Sequence, residues 1–195
     1  MDRLKMLPEH MRKVLFSVKS ILDQNRIKYS IIGGIAVGYH AAPRTTEDID
    51  ILVNKSSLPK LQQLFGTGRV MDNGYAFTIN DVDVEFLFSY DGYEDFLFQE
   101  NKDVGFNIPN AYQMLYLKLK ANRSKDAADI IQIVSGMSEE EVNGFQSFVK
   151  KHGLSMDLLE DFNSLVEISR LEKAQKKATL PFAKYMLRKY AKIKI

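Results

Sequence analysis

Apolar and polar residues recur along this chain with two different periods, and the change between them divides it. From Glu9 to Asn25 the apolar residues Val14, Leu15, Val18, Ile21 and Leu22 fall at helical spacing, and Pro8 suits the first turn of such a helix. Lys28 to Ile32 reads as a buried strand that stops at Gly33-Gly34, followed by a short helix from Ile35 to Ala42, ended by Pro43. Asp48 to Val53 alternates as a strand with both of its carboxylates on one face. Leu58 to Phe65 is predicted as a short helix. Tyr75 to Asn80 and Val82 to Ser89 are predicted as strands close enough to form a hairpin, and Tyr93 to Asn101 as a helix.

From Pro109 onward the strand period is gone. Asn110 to Ala121 reads as a helix, and Ser124 is a suitable N-cap for another that runs to about Val134. Ser138 with Glu141 three residues later is a capping-box start. Ser155 with Asp157 opens a long helix past Leu171, and Pro181 interrupts it or begins the last one. The pattern therefore predicts an α+β core over residues 1–108, with a small mixed sheet flanked by helices, and a helical C-terminal region over residues 109–195.

Composition narrows the function class. Apolar residues make up 45% of the 195 and charged ones 27%, the balance of a soluble globular protein. The absence of cysteine excludes a disulfide scaffold, thiolate zinc and a catalytic thiol. No apolar run approaches the roughly 20 residues that span a membrane. Met1-Asp2-Arg3-Leu4-Lys5 opens no signal-peptide core, so the chain is read as cytoplasmic with no membrane partner. The net charge is only +2, but Lys173, Lys176, Lys177, Lys184, Arg188, Lys189, Lys192 and Lys194 gather near the C-terminus. Such a tail attracts phosphates or, more commonly, is the solvated face of terminal helices.

The chemistry lies in a constellation. Thirteen residues separate Gly33-Gly34 from the strand that carries Asp48 and Asp50, and a later strand offers Asp83 and Glu85, again two residues apart. Two glycines at a strand-to-helix turn let backbone N–H groups approach a bulky anion. Like charges about 4 Å apart repel by roughly 4 kcal/mol at an effective dielectric of about 20. Carboxylates gathered in this way are tolerated where divalent cations neutralise them, and hard oxygen donors suit Mg²⁺, which also takes phosphates as ligands. A lone Gly-Gly is usually a turn and a lone Asp-x-Asp usually an exposed face. Their order and spacing between apolar strands make the joint signal specific.

Gly33-Gly34-Ile35-Ala36-Val37-Gly38-Tyr39-His40, followed by Arg44-Thr45-Thr46-Glu47-Asp48-Ile49-Asp50-Ile51-Leu52-Val53, resembles the minimal nucleotidyltransferase fold of the DNA polymerase beta superfamily. The stand-alone bacterial branch that includes the AbiEii-type toxins is the nearest match, and the resemblance extends through Lys118-Leu119-Lys120-Ala121-Asn122-Arg123-Ser124-Lys125-Asp126-Ala127-Ala128-Asp129. It implies Asp48 and Asp50 as metal ligands, Gly33 and Gly34 at the nucleotide phosphates, and Lys118 with Arg123 or Lys125 near the triphosphate. It implies an NTP donor and Mg²⁺, two ions with Mn²⁺ as an alternative. The acceptor it implies is a tRNA end, a protein side chain or a small molecule. In one place the chain departs from the family, which usually has aspartate as third carboxylate. Val84-Glu85-Phe86-Leu87-Phe88 fits that frame best and puts Glu85 there, with Asp83 as the alternative ligand.

Arg44 and Thr46 precede the carboxylate strand, where a loop reaches phosphates. Asp126 and Asp129 suit capping or salt-bridging within their own helix. His10, His40 and His152 are too dispersed for a metal site, and Tyr90, Tyr93, Phe96 and Phe98 suit a satellite core better than base stacking. The expectation is an Mg²⁺-dependent nucleotidyltransferase. The rival is a weak or inactive nucleotide-binding regulator or toxin–antitoxin component with the same fold, which the Glu85 departure favours.

Overall fold

The structure is a computed structural model that describes residues 4, 7–41, 45–89, 97–98, 105–121, 123–152, 155 and 157–191, with side chains described as far as residue 175 and not for Ser124. The backbone divides into two compact units, Met1–Met114 and Leu115–Ile195. The architecture is the expected α+β, with a five-stranded mixed sheet and seven α-helices among the described residues.

Unit 1 runs α1 (Glu9–Gln24), β1 (Tyr29–Ile31), α2 (Gly33–His40), β2 (Asp48–Asn54), α3 (Leu58–Phe65), β3 (Arg69–Met71), β4 (Gly74–Ile79) and β5 (Val82–Ser89). The sheet order is β1-β2-β5-β4-β3, with β2 and β5 parallel and every other pair antiparallel. One face is apolar: Ile49, Ile51 and Val53 of β2 and Val84 and Phe86 of β5 are each at most 1% exposed. Against it α1 buries Met11, Val14, Leu15, Val18 and Leu22. Phe65 of α3 meets Phe77 and Phe86 with ring centroids 5.6 and 5.3 Å apart. Each such side chain contributes about 1.5–3 kcal/mol of burial, enough to fix which face of β2 and β5 turns inward.

The predicted hairpin is present, closed by Asn80 and Asp81 at φ 48° and 62°, the left-handed pair of a tight primed turn. Strand β3 carries no alternation, is only three residues long and is largely exposed, so no period announced it. Helix α2 starts at Gly33, two residues before the expected Ile35, and ends at His40, two before Ala42. The first glycine is itself the turn residue. Its φ of +62° redirects the chain from β1 straight into the helix. The expected helix over residues 93–101 lies largely outside the described residues, as do Tyr90, Tyr93 and Phe96. Leu97–Phe98 form a short 3₁₀ turn in which the Leu97 carbonyl accepts from the Ser30 hydroxyl.

Unit 2 contains most of α4 (Ala111–Ala121), then α5 (Ser124–Ser135), α6 (Glu139–Lys151) and α7 (Asp157–Ala191). Helix α5 packs on α7, and Phe145 of α6 meets Phe162 of α7 at 4.5 Å between ring centroids. The capping box is formed as expected: Ser138 N–H donates to Glu141 at 2.7 Å, and Glu141 N–H to Ser138 Oγ at 3.2 Å. Two expectations are corrected. Ser124 is the first helical residue of α5, and the cap position is Arg123, whose N–H is taken by the Asp126 carboxylate at 3.3 Å. Pro181 neither interrupts nor begins a helix, because α7 continues through it. A proline removes one backbone donor, a loss that a helix of 35 residues outlasts. No helix among the described residues is long and apolar enough to cross a membrane.

Candidate functional site

Strand register assembles the carboxylates. In the parallel pair of β2 and β5, Asp48 stands opposite Asp83 and Asp50 opposite Glu85. All four side chains therefore leave the sheet on the face opposite Ile49 and Val84. Asp48, Asp50 and Glu85 each present a carboxylate oxygen such that the three lie within 4.8 Å of one another, at intermediate burial. Asp83 does not join them. It is exposed, and its carboxylate accepts from the Thr78 hydroxyl on β4 at 2.7 Å.

Asp48 is held from behind. Thr46 is 9% exposed, and its hydroxyl donates to that carboxylate at 2.8 Å, which favours a rotamer facing the cluster. The same Thr46 is the residue the sequence pointed at phosphates. Arg44 lies outside the described residues. The three oxygens are hard donors gathered within 4.8 Å of one another, close enough for one divalent cation to bridge them with small side-chain adjustments. The residues thus fit a divalent cation.

Gly33 is the second fixed point. The Ile32 N–H donates to the Asp50 carbonyl at 2.9 Å, which draws the end of β1 and the start of α2 alongside Asp50. A Cβ at Gly33 would lie 1.6 Å from Asp50 Oδ2, so the glycine is needed twice, for its φ of +62° and for this contact. Gly33→Ala is expected to cost about 1–3 kcal/mol and to weaken divalent-cation binding by pushing the carboxylate aside. In an Asp50→Ala background the same change should cost measurably less. Additive effects of the two substitutions in a denaturation cycle would show that the contact is unimportant.

On the other flank Arg69 of β3 reaches toward Glu85, Nη2 to Oε1 3.8 Å, with its own side chain 65% exposed. No sequence signal pointed to it. Its position beside Glu85 depends on two strand pairings, and its relation to Asp50 on a third.

The remaining candidates lie in unit 2. Lys118 is buried and its Nζ makes ion pairs with Asp126 at 2.8 Å and Asp129 at 2.7 Å. Arg123 adds Nε to Asp126 at 2.7 Å and leaves about half of its side chain exposed. Burial pushes the Asp126 carboxyl up, but hydrogen bonds from Arg123 and Lys118, with their charges, outweigh it and hold it below its ordinary value. Asp126 thus caps its own helix as expected, whereas the ion pair of Asp129 reaches Lys118 on the preceding helix and not a residue of its own. Lys125 is exposed. His40 contacts the Pro109 carbonyl at 2.5 Å through Nε2, and no histidine joins the carboxylates among the described residues.

A cleft of about 770 Å³ lies elsewhere in unit 1, lined in part by Lys28, Tyr29, Phe106 and Asn107. Tyr29 pairs with Val53, at the end of β2 away from Asp48. The cleft is therefore not the carboxylate site.

The chain matches no protein-family model and no curated protein. Among solved structures it is similar to the antibiotic-resistance factor ANT(2'')-Ia in solution, at 13% identity over 95% of this chain and 100% of that one, with a TM-score of 0.45. It is similar also to the crystal structure of ANT(2'')-Ia in complex with adenylyl-2''-tobramycin, at 10% identity, 83% and 97% coverage, and a TM-score of 0.44. A third likeness is to an antigenic nucleotidyltransferase-like protein from Paracoccidioides brasiliensis, at 18% identity, 80% and 91% coverage, and a TM-score of 0.40. These structural neighbours are nucleotidyltransferases. With TM-scores below 0.5 the likenesses carry no argument about activity, and the site stands on its own residues.

Proposed function

We propose that this chain is a nucleotidyltransferase that moves a nucleoside monophosphate from an NTP to an acceptor, with Asp48, Asp50 and Glu85 as its acidic centre. The observation that carries the proposal is the register of β2 and β5, which gathers those three carboxylates within 4.8 Å of one another. Beside them the backbone turn at Gly33-Gly34 opens a helix whose N–H groups suit the donor phosphates. In the reaction an acceptor hydroxyl oxygen bonds to the α-phosphorus while the α–β bridging bond breaks. Pyrophosphate leaves, and the hydroxyl proton passes to a nearby base or to water.

Mg²⁺, or Mn²⁺ in its place, held by the three carboxylates would supply charge neutralisation at the phosphates. The chain's own contribution is placement: Thr46 sets Asp48, Gly33 admits Asp50 close to the phosphate turn, and the apolar face of β5 fixes Glu85. Glu85, not Asp83, is the third ligand in this reading, because Asp83 is exposed and bonded to Thr78. The same reach of Glu85 weighs against the inactive-regulator reading. Residues 1–108 form the catalytic core in this proposal and residues 109–195 a helical accessory region. The motif Lys118 to Asp129 is what suggests the AbiEii-type branch. A cytoplasmic setting, with a tRNA end, a protein or a small molecule as acceptor, belongs to the same proposal.

The test is to incubate the full chain with cell extract, Mg²⁺ and each α-labelled NTP in turn. Label should pass to one class of acceptor, with pyrophosphate released and chelator abolishing both. Label that never becomes covalently attached, with any of the four nucleotides, would count against transfer.

A further inference from the structure

A cation shares the cross-strand row of the carboxylates. Arg69 on β3 pairs with Ala76 on β4, Ala76 with Glu85 on β5, and Glu85 with Asp50 on β2. Residues paired in register point to one face, so the row Arg69, Ala76, Glu85, Asp50 forms a single surface. Ala76 is the reason Arg69 spans it. Ala76, buried at 4% exposure, puts only a methyl group between the two side chains in the row, and the guanidinium comes within 3.8 Å of Glu85. At that distance no hydrogen bond is made. The side chain is 65% exposed, so its donors face water.

The two flanks of the cluster differ in chemistry. On the β1 side are Gly33 and the start of α2, where the proposed function seats the donor phosphates. On the β4–β3 side is Arg69. Three carboxylates attract a cationic acceptor and repel an anionic one. A guanidinium beside Glu85 offsets that repulsion locally, and its planar fork matches phosphate oxygens two at a time.

We infer that Arg69 is a specificity-determining residue on the acceptor flank, and that the acceptor carries a phosphate next to its attacking hydroxyl. This rests on the proposed transferase reading. The shared chemistry is a phosphate beside a sugar hydroxyl, presented by an RNA end or by a phosphorylated small molecule.

The experiment is calorimetric titration, in Mg²⁺, of the full chain with four probes: ApA, adenosine, ribose 5-phosphate and tobramycin. ApA should bind at least about tenfold more tightly than adenosine, the worth of one charge-assisted contact, and tobramycin should bind more weakly than ApA. Arg69→Gln should erase the preference for ApA and flatten its salt dependence by about 0.7 in the logarithmic slope, one phosphate's share in a single strand. Arg69→Lys should keep part of the preference. Ala76→Leu, which blocks the reach and leaves Arg69 in place, should mimic Arg69→Gln. Binding of NTP and the melting temperature should be unchanged in Arg69→Gln and Arg69→Lys. Ribose 5-phosphate binding as tightly as ApA assigns a phosphorylated small molecule, and ApA binding alone assigns an RNA end; both uphold the inference. Equal binding of ApA and adenosine, a preference for tobramycin, or loss of NTP binding in Arg69→Gln would overturn it while leaving the transferase reading intact. A wild type that binds no NTP would overturn that reading and the inference together.

Discussion

Asp50→Asn is expected to lower nucleotidyl transfer by at least about 10²–10³-fold, the equivalent of several kcal/mol of transition-state charge stabilisation. The same variant should melt at the wild-type temperature or slightly above it. Asp50 lies in a cluster whose oxygens are within 4.8 Å of one another. Like charges at that separation repel by about 3 kcal/mol at an effective dielectric of about 20, and by less where water reaches them. Removing one charge relieves the fold even as it removes a ligand. Activity and stability must therefore move apart, which a purely structural carboxylate does not allow. Label transfer and a thermal melt on the same preparation decide it: loss of both together would place Asp50 in the fold and not in the chemistry.

The largest stability effect is expected at Lys118. Its ammonium lies between Asp126 and Asp129, with all three side chains at most 5% exposed. Lys118→Met deletes the cation and leaves both carboxylates buried, a change that costs about 3–5 kcal/mol where one partner of a buried pair is removed. Arg123 still binds Asp126, which limits the loss at that carboxylate. Adding Asp129→Leu to Lys118→Met should return much of the stability, because the partner charge is then gone as well. Acid reports on the same cluster. The folded-state value of Asp126 is depressed, so its contribution is present above its unfolded value of about 3.9 and is lost as pH falls through the folded one. Urea denaturation across this acid range should show the loss in wild type and a smaller one in Lys118→Met. A Lys118→Met that is as stable as wild type would mean that the cluster is not what joins α4 to α5.

Much of the site was legible because its signals are local. Asp48 and Asp50 share a strand face by period alone, and Gly33 marks a turn by its position between a strand and a helix. The choice between Asp83 and Glu85 was not local, since both point to the same face. Which of them lies in the cluster follows from the residue of β2 each one meets and from Thr78 on β4, a partner that no spacing foretells. Arg69 was invisible for the same reason compounded: its strand is three residues long and its relation to Asp50 passes through three pairings. In unit 2 the motif marked Lys118, Arg123, Asp126 and Asp129 together, but not that the lysine would be enclosed. That follows from tertiary packing, in which Asp126 and Asp129, three apart on one helix face, converge on a lysine of the preceding helix.

The most direct test of the acidic centre is calorimetric titration of each NTP, with and without Mg²⁺, into wild type and into the Asp48→Ala/Asp50→Ala variant. Metal-dependent binding to wild type that disappears in the folded variant is the predicted result, and it also names the donor base. Equal binding in both proteins, or none to wild type at millimolar NTP, would contradict it.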